Sequence, residues 1–187
     1  MGQILGVDIS ENNDLCLDDF KAMVDAGVKF VVIRSSYGLN SVDSRFKEYC
    51  GYADTVGLRK QAYHYSYGHN ADEVAKEAAN CRQVIEDAGV ALEMVWYDCE
   101  EARLRGWATE ACKAFLDNIG LHCGVYASLS WFPDEIDYES LGCSIWVAQY
   151  NRTCDLKGYM WQFTDHFQIN GKGFDGDYIF TEDEDAE

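Results

Sequence analysis

Short runs rich in β-branched and aromatic residues recur along the chain, and the spacing between them is the strongest constraint on its fold. Eight such runs fall at 4–9, 30–35, 61–65, 94–98, 123–127, 144–149, 160–163 and 174–179, with the length and composition of strands. The first five begin 26 to 33 residues apart, enough for a strand and a crossover helix. Apolar residues at helical spacing fill the gaps: Leu17, Phe20, Met23 and Val24; Phe46, Tyr49, Cys50, Ala53 and Val56; Val74, Ala78, Cys81, Val84 and Ile85; Ala111, Ala114, Phe115 and Ile119. The last three runs begin only 14 to 21 residues after their predecessors, which leaves little room for a helix. The pattern predicts an α/β fold, an irregular TIM-like β/α barrel of eight strands, with about five β/α units followed by three strands with little helix. An open doubly wound sheet is disfavoured, because no G-x-G-x-x-G or phosphate-binding loop follows the first strand.

The chain of 187 residues is the size of one domain. Fifteen Lys and Arg against 33 Asp and Glu give a formal charge of −18, which argues against a nucleic-acid partner bound through a general basic surface. No apolar run approaches the roughly 18 residues of a membrane span, so no membrane insertion is expected. The first residues lack the basic and apolar regions of a signal peptide, so the expectation is a product made in the cytoplasm. Residues 182–187 read as an acidic tail or the stump of a linker, leaving 1–181 as the barrel. The eight cysteines form no C-x-x-C pair or Cys/His cluster; reduced thiols are expected, with no cofactor and no metal.

In a barrel of this kind the C-terminal strand ends build the site. Asp8 closes the first strand, Asp98 and Glu100 close the fourth, and Asp175 lies in the last. Of three D-x-E triplets, at 98/100, 137/139 and 185/187, only Asp98/Glu100 ends an apolar strand. The strand period of two then points both carboxyls to one face and turns Cys99 away. The other strand ends bring Arg34 and Ser35, Tyr63, His64 and Tyr65, Tyr126, Trp146 and Gln149, and Trp161 and Gln162. Carboxylates among aromatic rings and amides suit a sugar: flat rings stack on apolar pyranose faces, and amides and hydroxyls satisfy the substituents.

These motifs, in order, resemble glycoside hydrolase family 25, the Chalaropsis-type lysozymes found as bacterial muramidases and phage endolysins. The resemblance rests on Gly6-Val7-Asp8-Ile9-Ser10, on residues 31–38 with Asp43 and Phe46, on Ala62-Tyr63-His64-Tyr65-Ser66-Tyr67, and on the strand 95–100. It continues through Gly124-Val125-Tyr126-Ala127-Ser128, Trp146-Val147-Ala148-Gln149-Tyr150, Trp161-Gln162-Phe163 and Phe174-Asp175-Gly176-Asp177. It departs at Glu11-Asn12-Asn13, where other polar residues including a Gln are usual, and at Asp177, a place often held by Asn. It implies a catalytic barrel over 1–181 that hydrolyses the β-1,4 bond between N-acetylmuramic acid and N-acetylglucosamine in bacterial peptidoglycan, with retention. It also implies release to the wall through a membrane lesion and the absence here of a wall-binding domain that such enzymes often carry.

Glycoside cleavage needs a proton donor for the leaving oxygen and negative charge facing the anomeric carbon. Glu100 is the expected general acid, its pKa raised by Asp98 nearby. Asp98 is expected to attack directly or to orient the sugar's 2-acetamido group, and Asp8 and Asp175 to support it. Tyr63, Tyr65, Tyr126, Trp146, Gln162 and Arg34 are the candidate substrate-binding residues. Three other functions fit parts of the pattern: a chitinase-like N-acetylhexosaminidase, a non-catalytic wall-binding barrel, and a metal hydrolase using His64, the histidine expected near the site.

Overall fold

The computed structural model describes residues 2–181. Strand β1 (Gly2–Ile9) leads to helix α1 (Leu17–Asp25), β2 (Phe30–Tyr37), the two-residue β3 (Ser41–Val42), α2 (Phe46–Val56), β4 (Arg59–Tyr65), α3 (Ala71–Ala88), β5 (Val95–Asp98), α4 (Ala108–Ile119) and β6 (Cys123–Ser128). Then come β7 (Ile145–Ala148), β8 (Met160–Ile169) and β9 (Lys172–Thr181). The fifth crossover, between β6 and β7, carries two short 3-10 turns, Leu129–Trp131 and Tyr138–Leu141, in place of an α-helix.

Eight strands close a barrel. Six pairings, from β1–β2 through β7–β8, are parallel. β9 closes it antiparallel to both β8 and β1. Closure therefore rests on the β8–β9 hairpin, turned by Asn170-Gly171 with φ of 50° and 82°. Positive φ at both turn positions is the geometry whose twist matches paired strands, and Asn-Gly adopts it readily.

Strand alternation sorts the core into two layers. Val7, Ile9, Val31, Ile33, Ala62, Val95, Tyr97, Cys99, Val125 and Val147 face outward into one apolar cluster with the helix residues Phe20, Met23, Tyr49, Ala78, Cys81 and Phe115. Phe30, Val32, Met94, Trp96, Tyr126, Trp146, Met160 and Ile179 fill the barrel interior. Among the described residues, the outer faces of β8 and β9 at 161–163 and 178–180 lie outside the helix-packed cluster. Their aromatic rings cover one another instead: Trp161 stacks on Phe180 with centroids 6.3 Å apart, and Phe163 on Tyr178 at 4.4 Å.

A buried polar chain also lies outside the barrel wall. Ser36 Oγ and His64 Nδ1 are 2.8 Å apart, and His64 Nε2 is 3.7 Å from Glu77 of α3. Glu77 accepts from Ser66 Oγ and the Tyr67 amide. All of Ser36, His64, Ser66 and Glu77 are fully buried, so the group pins α3 to the wall. All eight cysteines are free thiols. Among the described residues no helix is long and apolar enough to cross a membrane.

The interior is filled from below by Trp96 and Trp146, whose rings meet edge to face at 5.7 Å. Gln61 Oε1 accepts the Trp96 indole N–H at 2.6 Å. This plug requires small residues beside it. A Cβ on Gly124 would lie 2.4 Å from the Trp96 ring and 2.6 Å from the Ser144 carbonyl oxygen, and one on Gly6 would lie 2.2 Å from the Phe30 ring. Gly124→Ala is expected to destabilise the fold by about 1–3 kcal/mol through overpacking, measured by urea denaturation. Gly27→Ala, where no atom lies within 4 Å of the added Cβ, must instead bear only the strain of a φ of 91°.

Candidate active site

The inward parity that puts Trp96 in the plug puts Asp98, two residues on, at the C-terminal mouth of the barrel, where a cleft of about 380 Å³ opens. Asp8, Arg34, Tyr63, Tyr65, Asp98, Glu100, Tyr126, Trp146, Gln162 and Asp175 all line it. The fold thus brings together every side chain singled out from the sequence as catalytic or substrate-binding. Asp8 and Asp175 are direct register partners across β1 and β9.

Four strand-end residues do not join them, three of these for the same parity reason. Ser35 and His64 face outward and are fully buried, with Ser35 Oγ donating to the Tyr63 carbonyl. His64 is thus not near the site in space, although Tyr63 and Tyr65 on either side are. Trp161 lies in the outer aromatic stack, its indole N–H donated to the Gln149 carbonyl at 2.7 Å. The side chain of Gln149 is spent on the loop beyond it, where its Oε1 accepts from the Asp155 amide.

Conversely, the cleft includes Ser10, Asn12, Asn13 and Tyr150, which the sequence reading did not single out for the site. Ser10 and Asn13 form a reciprocal cap, Asn13 Oδ1 accepting the Ser10 amide at 2.8 Å, that folds this loop over the rim. Tyr150 is 56% exposed, and its position just past the Trp146-bearing strand was the available signal.

The polar groups are held by one another. Gln162 Nε2 donates to Asp8 Oδ2 at 2.7 Å, and Gln162 Oε1 accepts from the hydroxyls of Tyr126 at 2.9 Å and Tyr150 at 3.0 Å. Two donors on the amide oxygen fix which end of Gln162 faces Asp8. Arg34 Nε donates to Asp43 at 2.9 Å and its Nη2 to Glu11 at 3.1 Å, so the cleft's one arginine arrives with its charge answered by two carboxylates. Tyr65 donates to Glu101 at 2.9 Å.

Burial dominates the electrostatics. Asp98 is pushed well above the usual carboxylate range, first by desolvation and then by Glu100, with Arg34 pulling the other way. Its Oδ1 is buried and has no hydrogen-bond partner. Glu100 is also raised, by burial first and then by Glu101 and Asp175. Glu101 and Asp175 thus press on Glu100, and Glu100 and Asp98 repel one another. Asp8 is pushed up to about 8 by burial and Asp175, against the hydrogen bonds that favour its charged form. Asp175 is raised by burial and by Asp165.

Comparisons with known proteins agree with this geometry. The sequence pattern described as "Glycosyl hydrolases family 25" matches residues 7–172. A curated relative, the autolytic lysozyme of Clostridium acetobutylicum, is 26% identical over 164 residues, covering 82% of this chain and 48% of its own. The chain thus spans about half the length of that relative. Among solved structures, the CTP1L endolysin superposes with a TM-score of 0.80 at 26% identity, over 98% of this chain and 67% of its own. The catalytic domain of endolysin ply40, from bacteriophage P40 of Listeria monocytogenes, gives 0.82 at 23% identity, over 96% and 94%. The modular autolysin LytC of Streptococcus pneumoniae gives 0.83 at 18% identity, over 95% and 47%; at these identities the last two likenesses speak to the fold.

A carboxyl whose pKa is raised by folding stays protonated in the native state after the unfolded chain has ionised. Its contribution is present in full below the unfolded pKa and is lost as pH rises through the folded one. For Asp8 that window runs from about 4 to about 8. Thermal melts should therefore show stability falling between pH 4 and pH 8, and Asp8→Asn should flatten the slope. An equally steep slope in the variant would contradict the burial of an uncompensated Asp8.

Proposed function

Because the chain belongs to family 25 of the glycosyl hydrolases, we propose that it is a muramidase, hydrolysing the β-1,4 bond between N-acetylmuramic acid and N-acetylglucosamine in bacterial peptidoglycan. The observation that carries the assignment of roles is the placement of Asp98 and Glu100 on one wall of the cleft, in unequal environments. Glu100 is half-buried and Asp98 nearly fully so.

Glu100 is the general acid. It reaches the cleft, and burial with Glu101 and Asp175 raises its pKa above the usual carboxylate range, the direction required of a group that must protonate a leaving oxygen. Asp98 orients the substrate. Its desolvation disfavours a standing anion, which makes it a poor direct nucleophile, and its unpartnered Oδ1 is placed to hold a polar group of the sugar. We assign that group as the 2-acetamido of the muramyl ring. Its carbonyl oxygen then attacks the anomeric carbon as Glu100 protonates the leaving oxygen; water opens the resulting ring with Glu100 as base, and two inversions give net retention.

The remaining side chains form the sugar site. Tyr150, exposed at the rim, offers a stacking face. Tyr63, Tyr65 and Arg34 are half-buried and line the cleft. Gln162 is tied to Asp8 and Tyr126 to Gln162, and the Trp146 indole N–H is spent on Asp177 at 2.9 Å; these three shape the wall and carry few free donors. Asp8 and Asp175, register partners across β1 and β9, are the supporting acids of the site.

On purified cell walls, Glu100→Gln and Asp98→Asn are each expected to reduce turnover by about 10²–10⁴-fold. The exposed D-x-E pair altered by Asp137→Asn and Glu139→Gln serves as control and should clear walls at the parent rate. Undiminished clearing by Glu100→Gln would overturn the acid assignment. Reducing-end analysis of the products should show N-acetylmuramic acid at the new end, and the anomer first released should be β. With a net charge of −18 against anionic walls, lysis should rise as salt is raised toward about 0.1 M, where the screening length is about 10 Å; a steep fall would show attraction between charges instead.

A further inference from the structure

Asp177 lies in β9 two residues beyond Asp175, on the same inward face, but beneath the cleft. It is fully buried. Its Oδ1 accepts the Trp146 indole N–H at 2.9 Å, and its Oδ2 has no donor among the described residues. Gly6 is its register partner on β1, and one inward step along that strand is Asp8, against which the Asp177 side chain lies. Two carboxyls in contact away from water present four acceptor oxygens and no donor, unless one of them keeps a proton.

No cation compensates them. The arginine at the cleft, Arg34, is engaged by Asp43 and Glu11, and among the described residues neither Asp8 nor Asp177 forms an ion pair with a lysine, arginine or histidine. The other ionisable groups facing Asp8 are acids or phenols. They are Asp175 on β9, Asp98 and Glu100 at the end of β5, Tyr63 on β4, Tyr126 on β6 and Tyr150 after β7.

We propose that Asp177 keeps a proton and donates it to Asp8, and that this hydrogen bond is a positioning device that fixes the Asp8 carboxylate at the cleft. Asp177 holds its proton longer because it is the deeper of the two, 0% exposed against 8% for Asp8, and Asp8 is the first of the pair to ionise because Gln162 donates to it. Burial and the neighbouring Asp8 both push Asp177 well above the usual carboxylate range, which agrees with this arrangement. Once Asp8 has ionised, the pair carries a single negative charge. Asp8 is held from two sides, by Gln162 and by Asp177, and its position depends on a donor at 177 and not on a charge there.

The activity arm of the test rests on the muramidase reading, and the spectroscopic arm does not. An asparagine at 177 supplies an amide oxygen for Trp146 and an amide N–H for Asp8, whereas leucine supplies neither. In protein labelled at the aspartate side-chain carboxyl carbon, the Asp177 resonance should remain at its protonated position through neutral pH. In Asp177→Asn the upper titration step of the pair should disappear, leaving Asp8 to ionise alone. Above about pH 8, where Asp8 is ionised, Asp177→Leu is expected to lower wall hydrolysis by about 10- to 100-fold, the scale of a lost charge-assisted hydrogen bond, and Asp177→Asn to recover most of it.

An Asp177 resonance that titrates near the ordinary aspartate value of about 4, or an asparagine variant as impaired as the leucine one, would overturn the proposal. Should the leucine variant fail to fold, the titrations of the parent and the asparagine variant decide by themselves. Parent protein that leaves walls intact while Asp177 titrates as described would overturn the muramidase reading and leave the shared proton standing.

Discussion

The two-residue alternation of the strands, acting inside a closed barrel, is the constraint on which everything else depends. Along β5 it sends Trp96 and Asp98 inward and Tyr97 and Cys99 outward. One strand therefore supplies the floor of the barrel, the acid above it, and the apolar surface that seats the helices. A register slip of one residue would exchange these roles everywhere at once. Closure makes the alternation consequential, because inward-facing residues from eight strands must share one small volume. At the bottom that volume is filled by two tryptophans, with Gly6 and Gly124 making room for the neighbouring rings. At the top the same inward positions carry acids and hydroxyls.

Concentrating carboxyls there has an electrostatic consequence. Asp8, Asp98, Glu100, Asp175 and Asp177 all have their ionisation disfavoured by burial, and the cleft's arginine is already engaged by Asp43 and Glu11. The fold loses stability as these groups are forced to ionise, a trade common where catalytic pKa values are tuned. Most of the −18 has little part in this, because exposed charges beyond a screening length of about 8 Å act weakly. The acids that matter are those the strands bring within contact of each other.

The barrel was legible in the sequence for a specific reason. Strand spacing is a length constraint, and a gap of 26 to 33 residues holds a helix where 14 to 16 does not. The helix faces were legible because residues such as Phe20, Met23, Phe115 and Ile119 must bury against the wall. The cleft was legible through Asp98 and Glu100, since a D-x-E ending an apolar strand has one face available to it. Less visible was the outward turn of Ser35, His64 and Trp161. A residue near a strand end is not thereby in the site, and β2 carries an irregularity between Arg34 and Ser36 that shifts the phase. The replacement of a fifth helix by 3-10 turns and the length of the β8–β9 hairpin were likewise not marked by hydrophobic period.

The sequence by itself determined that strands and helices alternate, which strand ends carry acids, and that Asp98 and Glu100 share a face, because all three follow from local periodicity. Only the tertiary structure decided which like charge presses on which acid, since Glu101 and Asp175 reach Glu100 through space. It alone decided that Asp177 meets Asp8 under the cleft and that Gln162 is oriented by two tyrosines. The physical reason is that an ionisation constant or a hydrogen bond depends on distance and burial across the barrel. Neither is fixed until β9 closes against β1 and sets Asp8 opposite Asp175.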